Sequence, residues 1–175
     1  VYGPFHSEEL LGKARGDRRK EIILVTKTGF SYNDDAAPDA PFHEQVTGRN
    51  SRYEHIIART EGCLKRLGTD VIDLMLIHWP DFPTPLDEPM RAFEKLKADG
   101  KIRYGGVSNF NVEMMEYCSE FTDVAVNQVG YHLFDQRMQK SVLPYCQQNN
   151  IGFMGYGTLG FGLLTGAFRN DHVFE

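Results

Sequence analysis

Five apolar runs, each closing on a polar residue, constrain the fold of this chain more than any other feature. Ile22-Ile23-Leu24-Val25 runs into Thr26-Lys27, and the stretch from Val71 to Ile77 runs into His78. The stretch from Ile102 to Val107 leads into Ser108-Asn109, Val124-Ala125-Val126 into Asn127-Gln128, and that from Ile151 to Gly155 into Tyr156. Helical patterns lie between successive runs. This is the layout of repeated β-α units, whose parallel strands bring their C-terminal ends to one mouth. Strands are predicted near residues 21–27, 71–78, 102–107, 124–128 and 151–156. A mouth lined by Lys, His, Ser, Asn, Gln and Tyr is a candidate site.

A complete barrel of eight such units takes about 250 residues, whereas this sequence has 175 and shows five strands. The expectation is a single α/β domain over residues 1–175: a parallel (β/α)8 TIM barrel, incomplete, lacking its N-terminal strands and its C-terminal end. The flanking strands are expected to be missing and the sheet unclosed. A formal net charge of -5 argues against a nucleic-acid surface. No apolar run approaches the ~20 residues of a membrane span. Cys63, Cys118 and Cys146 show no metal-ligand spacing and read as reduced core thiols of a cytoplasmic protein, with no metal site expected. Oligomeric state is not encoded in any feature of the pattern.

Ser7 can cap a short helix that places Leu10, Leu11 and Ala14 on one face. The basic cluster Arg15, Arg18, Arg19 and Lys20 reads as its solvated end. Residues 30–47 form a long polar stretch on the C-terminal side of the first strand, expected to be a loop that could fold over the mouth. Tyr53, Ile56, Ile57, Thr60, Leu64 and Leu67 repeat at helical spacing, with Gly68 at the C-terminal cap. Further helices carry Met90, Phe93 and Leu96, then Met114, Met115 and Cys118 behind an Asn111 cap, then Met138, Val142 and Cys146.

Taken singly, each mouth residue has a plain alternative. Lys27 is a lysine emerging into solvent, or one that lowers a neighbour's pKa or forms a Schiff base. His78 is a hydrogen-bonded core residue or a proton donor. Ser108, Asn109 and Gln128 are caps and turn residues, or neutral groups suited to a carboxamide. Tyr156 packs or stacks. The segment 157–162 (GTLGFG) is a strand-exit turn or a phosphate cradle, and it lacks the dinucleotide spacing of a Rossmann unit. Five such residues at five successive strand ends favour a site.

Several segments resemble the aldo-keto reductase family: LKRLGTDVIDL from Leu64, IHWPD from Ile77, GGVSNF from Gly105, Asn127-Gln128, and YGTLGFGLLTG from Tyr156. So do Tyr2-Gly3 with SEELLGKA from Ser7, and the strand ending at Thr26-Lys27. The resemblance implies a barrel that binds NADP, with NAD possible, in extended form across the mouth, and that reduces small carbonyl compounds. Tyr2, Lys27 and His78 match three members of the family's catalytic tetrad. Its aspartate would stand a few residues before Tyr2, outside this sequence, as would the adenosine-end contacts that follow an eighth strand. Ser108, Asn109 and Gln128 match the carboxamide ligands, Tyr156 the ring stacked on nicotinamide, and Thr158, Leu159, Gly160 and Gly162 the pyrophosphate loop. Trp79 and Phe30 are expected in the substrate pocket. The implied activity is reduction of aldehydes or ketones by hydride transfer with a tyrosine acid. The alternatives are a slow-turnover regulatory or channel-associated subunit of the same fold, or an inactive truncated form.

Overall fold

A computed structural model of the chain describes residues 5–33, 35, 37 and 40–168. Five strands form one parallel sheet: β1 (Val25–Thr28), β4 (Ile72–Ile77), β5 (Ile102–Ser108), β6 (Val126–Gly130) and β7 (Gly152–Tyr156), in the order β1-β4-β5-β6-β7. Among the described residues β1 and β7 are edges, so the sheet is an arc of the barrel and does not close. Two further strands, β2 (Phe30–Tyr32) and β3 (Val46–Arg49), pair antiparallel as a hairpin after β1. The helices are α1 (His6–Arg15), α2 (Phe42–Gln45), α3 (Tyr53–Leu67), α4 (Asp87–Ala98), α5 (Val112–Ser119) and α6 (Val142–Gln148). Among the described residues no helix is long and apolar enough to cross a membrane.

The two faces of the sheet are separated by the period-2 alternation of strands. Met75 and Ile77 join Phe93, Leu96, Met115 and Cys118 in the buried layer between sheet and helices. Adjacent glycines on β5 show how tightly both faces are packed. A Cβ on Gly105 would fall 2.6 Å from the Phe93 ring on α4, whereas one on Gly106 would meet the Val126 carbonyl oxygen at 2.6 Å and Leu76 on the opposite face at 2.8 Å. Neither position has room for a side chain, and a protein interior is too dense to yield one without strain.

Two helix ends behave as their sequences predict. Gly68 closes α3 at φ 61°, its N–H bonded to Leu64 and Lys65 carbonyls, and the Asn111 side chain accepts from the Met114 N–H at the start of α5. Other expectations are corrected. Ser7 lies inside α1, which begins at His6 without a side-chain cap. Met138 belongs to a separate 3-10 turn, 137–140, ahead of α6. The first strand begins only at Val25, after a 3-10 turn at residues 18–21.

The basic cluster is not simply solvated. Arg19 donates to the Val71 carbonyl at 2.7 Å and pairs with Asp73 at 2.8 Å, while Arg15 donates to the carbonyls of Leu67 and Gly68. These arginines satisfy backbone oxygens at the α3–β4 junction, a need that composition does not reveal. The polar stretch after β1 begins and ends in strand. Its ends pair as the hairpin, with Phe30 opposite Arg49 and Ser31 opposite Gly48.

Candidate active site

The inward face of the arc can be followed by strand register, because residues directly paired in a parallel sheet share a face. Lys27 pairs with Leu76, and Leu76 with Gly106. Two residues on from Leu76 and Gly106 stand His78 and Ser108. Ser108 pairs with Gln128, Gln128 with Met154, and Gly130 with Tyr156. Lys27, His78, Ser108, Gln128 and Tyr156 therefore share the inward face at the C-terminal ends of five adjacent strands. Tyr2 lies outside the described residues. Asn127 is of the opposite parity: it is fully buried and donates to the Phe110 carbonyl at 2.9 Å, tying β6 to the start of α5.

Hydrogen bonds link these residues round the rim. The His78 N–H donates to the Thr28 carbonyl at 3.0 Å, fixing β4 against β1. The Asn109 side-chain amide donates to the His78 carbonyl and to the Ser108 hydroxyl, each at 3.0 Å, and accepts from the Tyr156 hydroxyl at 2.8 Å. Ser108 in turn donates to the Gln128 carbonyl at 2.8 Å. Asn109 adopts φ 64°, a left-handed conformation that asparagine tolerates better than most residues. That turn aims its amide across the mouth toward β4 and β7 together.

His78 is the most perturbed group on this face. Burial, reinforced by the positive charges of Lys27 and Arg49, pushes its pKa down to about 4. At neutral pH its ring is uncharged and carries one N–H. Phe30, itself buried, presents its ring edge-on to His78 with centroids 5.0 Å apart. Trp79 follows on the rim, half-buried, with the Arg49 guanidinium 5.2 Å from its ring centre.

Whether this face fits a nicotinamide dinucleotide can be tested on its unused groups. Among the described residues the Gln128 side-chain amide makes no hydrogen bond, leaving a donor and an acceptor side by side, as a carboxamide requires. Tyr156 is 38% exposed. Beyond it, Gly157, Gly160 and Gly162 all take positive φ, and the N–H groups of Gly160 and Gly162 are used within the turn by the Gly157 and Leu159 carbonyls. Among the described residues the N–H groups of Thr158, Leu159 and Phe161 have no such partner and remain to receive an anion. The residues present thus fit the group. Ser108 and Asn109 have committed their donors within the protein, but the Ser108 hydroxyl oxygen and the Asn109 amide oxygen each accept one bond and keep a second acceptor site for a ligand N–H.

Sequence reading did not find Arg49 or Asp81 at this site. Arg49 is a single basic residue in a polar stretch, and only the hairpin brings it to the rim. Asp81, 6% exposed, accepts from the Ser51 N–H at 2.9 Å and the Thr84 hydroxyl at 2.6 Å. Its place within IHWPD was the only available signal.

Fold and face together define an α/β-barrel arc with a polar ring at its C-terminal mouth. A model of the Aldo/keto reductase family matches residues 1–174, and the chain belongs to that family. The aldo-keto reductase YhdN of Bacillus subtilis is 38% identical over 177 residues, covering 100% of this chain and 50% of that protein. An NADH-specific methylglyoxal reductase of Escherichia coli is 30% identical over 172 residues, covering 96% of this chain and 53% of its own. Among solved structures, a glycerol dehydrogenase from Gluconobacter oxydans superposes with a TM-score of 0.91 at 39% identity, over 100% of this chain and 52% of that one. An aldo/keto reductase from Klebsiella pneumoniae in complex with NADP and acetate gives a TM-score of 0.76 at 33% identity, over 98% and 56%. The chain spans about half the length of the curated relatives it matches.

Proposed function

We propose that the protein is an NADP(H)-dependent oxidoreductase, with NAD(H) as the alternative cofactor, that reduces small aldehydes or ketones to alcohols, and that residues 1–175 are part of one barrel domain. The observation that carries this reading is the shared inward face of Lys27, His78, Ser108, Gln128 and Tyr156. The names of the relatives agree on carbonyl and alcohol chemistry, and they divide between NADH and NADP. The buried, unpaired thiols Cys63, Cys118 and Cys146 suit a reducing compartment, consistent with the cytoplasm.

When bound, the cofactor would supply the hydride for the carbonyl carbon. The charge this leaves on the carbonyl oxygen needs a proton from a nearby acid. Tyr2 takes that role by family resemblance. A tyrosine hydroxyl with an unperturbed pKa of about 10 is too weak an acid at neutral pH, and the Lys27 ammonium stabilises its phenolate form. His78, neutral above about pH 4, offers an N–H that orients the carbonyl oxygen without competing for the proton. Gln128, with Ser108 and Asn109 behind it, would hold the carboxamide. Tyr156 would stack on the nicotinamide ring. Thr158, Leu159, Gly160 and Gly162 would face the pyrophosphate, while Phe30 and Trp79 would wall the substrate side.

The test is steady-state turnover against a panel of aldehydes and ketones with NADPH and with NADH, in wild type and in Tyr2→Phe. Reduction should occur in wild type and collapse in the variant, with nucleotide affinity unchanged within a few-fold, since the hydroxyl acts chiefly in the transition state. Wild-type turnover in Tyr2→Phe would overturn the assignment.

A further inference from the structure

Four consecutive residues at the end of β4 are each held by the hairpin β2–β3 or by the residue pair that follows it. The Phe30 ring sits on His78 with centroids 5.0 Å apart, and the Arg49 guanidinium lies 5.2 Å from the ring centre of Trp79. Arg49 Nη1 donates to the Pro80 carbonyl at 2.8 Å, and the Ser51 N–H donates to Asp81 at 2.9 Å. Phe30 and Arg49 are directly paired across the hairpin, so one rung supplies both rings' contacts. The Asn50 N–H donates to the Gly29 carbonyl at 2.9 Å, closing the base of the hairpin, and His55 on α3 bonds the Phe30 carbonyl at 3.0 Å, fastening it to the body of the fold.

Arg49 has no carboxylate partner among the described residues, and the residue as a whole is exposed. A purely decorative surface arginine would be free to sample solvent. This one places its guanidinium over the Trp79 ring and one N–H on the Pro80 carbonyl, two residues past His78. From this placement we infer that Arg49 is a positioning residue: through the hairpin it fixes the Trp79 ring and the Pro80 backbone, and so holds His78 in its inward pose. The inference rests on the proposed carbonyl-reductase reading only for its kinetic consequences. Its structural consequences stand alone.

The same residue sets part of the electrostatic environment of the mouth. Among the described residues, the charged groups acting on the His78 ring are Lys27 on β1 and Arg49 on β3, both positive. Removing one of them makes protonation of His78 easier. Loss of Arg49 therefore loosens the rim and moves the titration of His78 upward together, whereas lysine in its place restores charge without the guanidinium over the Trp79 ring.

The test uses Arg49→Met and Arg49→Lys in the intact protein, with three readouts. NMR titration of labelled histidine should show His78 shifted upward by on the order of half a pH unit in Arg49→Met and near its original value in Arg49→Lys. Fluorescence of Trp79, referenced to a Trp79→Phe control, should show greater accessibility to acrylamide in both variants. For carbonyl reduction, kcat/KM should fall about tenfold in Arg49→Met, with the acid limb of its pH profile displaced upward, and KM should rise in Arg49→Lys. Titration, quenching and pH profile that overlay the wild type in Arg49→Met would overturn the inference. Should Arg49→Met not fold, Arg49→Lys decides through the quenching and KM readouts, and wild-type values there overturn the inference. If wild type reduces no carbonyl compound, the proposed function fails, while the histidine titration and Trp79 quenching still decide the role of Arg49.

Discussion

Asn109 joins three of the five strand ends, and its replacement separates two physical contributions. Asn109→Gly removes the side-chain bonds to the His78 carbonyl, the Ser108 hydroxyl and the Tyr156 hydroxyl but keeps the freedom to hold φ 64°. Each such bond is worth about 1 kcal/mol net when its partners can find water, and more when a partner is left buried. Tyr156 is exposed enough to turn to solvent, and Ser108 keeps its bond to Gln128, so a loss of about 2 kcal/mol is expected. Asn109→Ala loses the same bonds and must also hold a left-handed backbone, which costs about 1 kcal/mol more after the entropy of glycine is allowed for. Urea denaturation of the two variants and wild type, at constant m-value, reads both steps. The order should be wild type, then Gly, then Ala. An alanine variant as stable as wild type would show that the rim does not depend on this amide. A glycine variant less stable than alanine would show that the left-handed turn is not maintained in solution.

Two further outcomes follow from the geometry of the mouth. The folded pKa of His78, about 4, lies below the 6.5 of an unperturbed histidine, so the unfolded chain binds the proton first as pH falls. The stability due to neutral His78 is complete above about pH 6.5 and is lost between there and about pH 4. His78→Gln should flatten that part of the stability profile, and a decline parallel to wild type would refute it. Tyr156→Ala should weaken nucleotide binding by roughly 1–3 kcal/mol, on the scale known for base–aromatic stacking. Unchanged affinity in a fluorescence titration would reduce Tyr156 to a packing residue.

The parallel sheet was legible because each apolar run leads into a polar strand end, although β6 runs from Val126 to Gly130 with Asn127 and Gln128 inside it, and the edge strands β1 and β7 are only partly buried. Register then did the rest: a period of two puts Lys27, His78, Ser108, Gln128 and Tyr156 inward and Asn127 outward, a distinction that the adjacency of Asn127 and Gln128 in the chain hides. What could not be read was long-range and polar. Arg15 and Arg19 look like a solvated helix end, yet they satisfy carbonyls some fifty residues away. The hairpin arises from Phe30 facing Arg49 across a polar segment with no alternation to announce it. Such contacts depend on where the rest of the fold leaves unpaired backbone groups and open aromatic faces. Local propensity carries no record of that.

Whether Lys27 tunes an acid among the inward-facing strand-end residues is decided by the pH dependence of kcat for carbonyl reduction in wild type and Lys27→Met. Lys27→Met should lose much of its rate and show an altered pH profile, because the acid returns toward its unperturbed pKa once the ammonium is gone. A Lys27→Met profile that overlays the wild type in both height and shape would contradict that role.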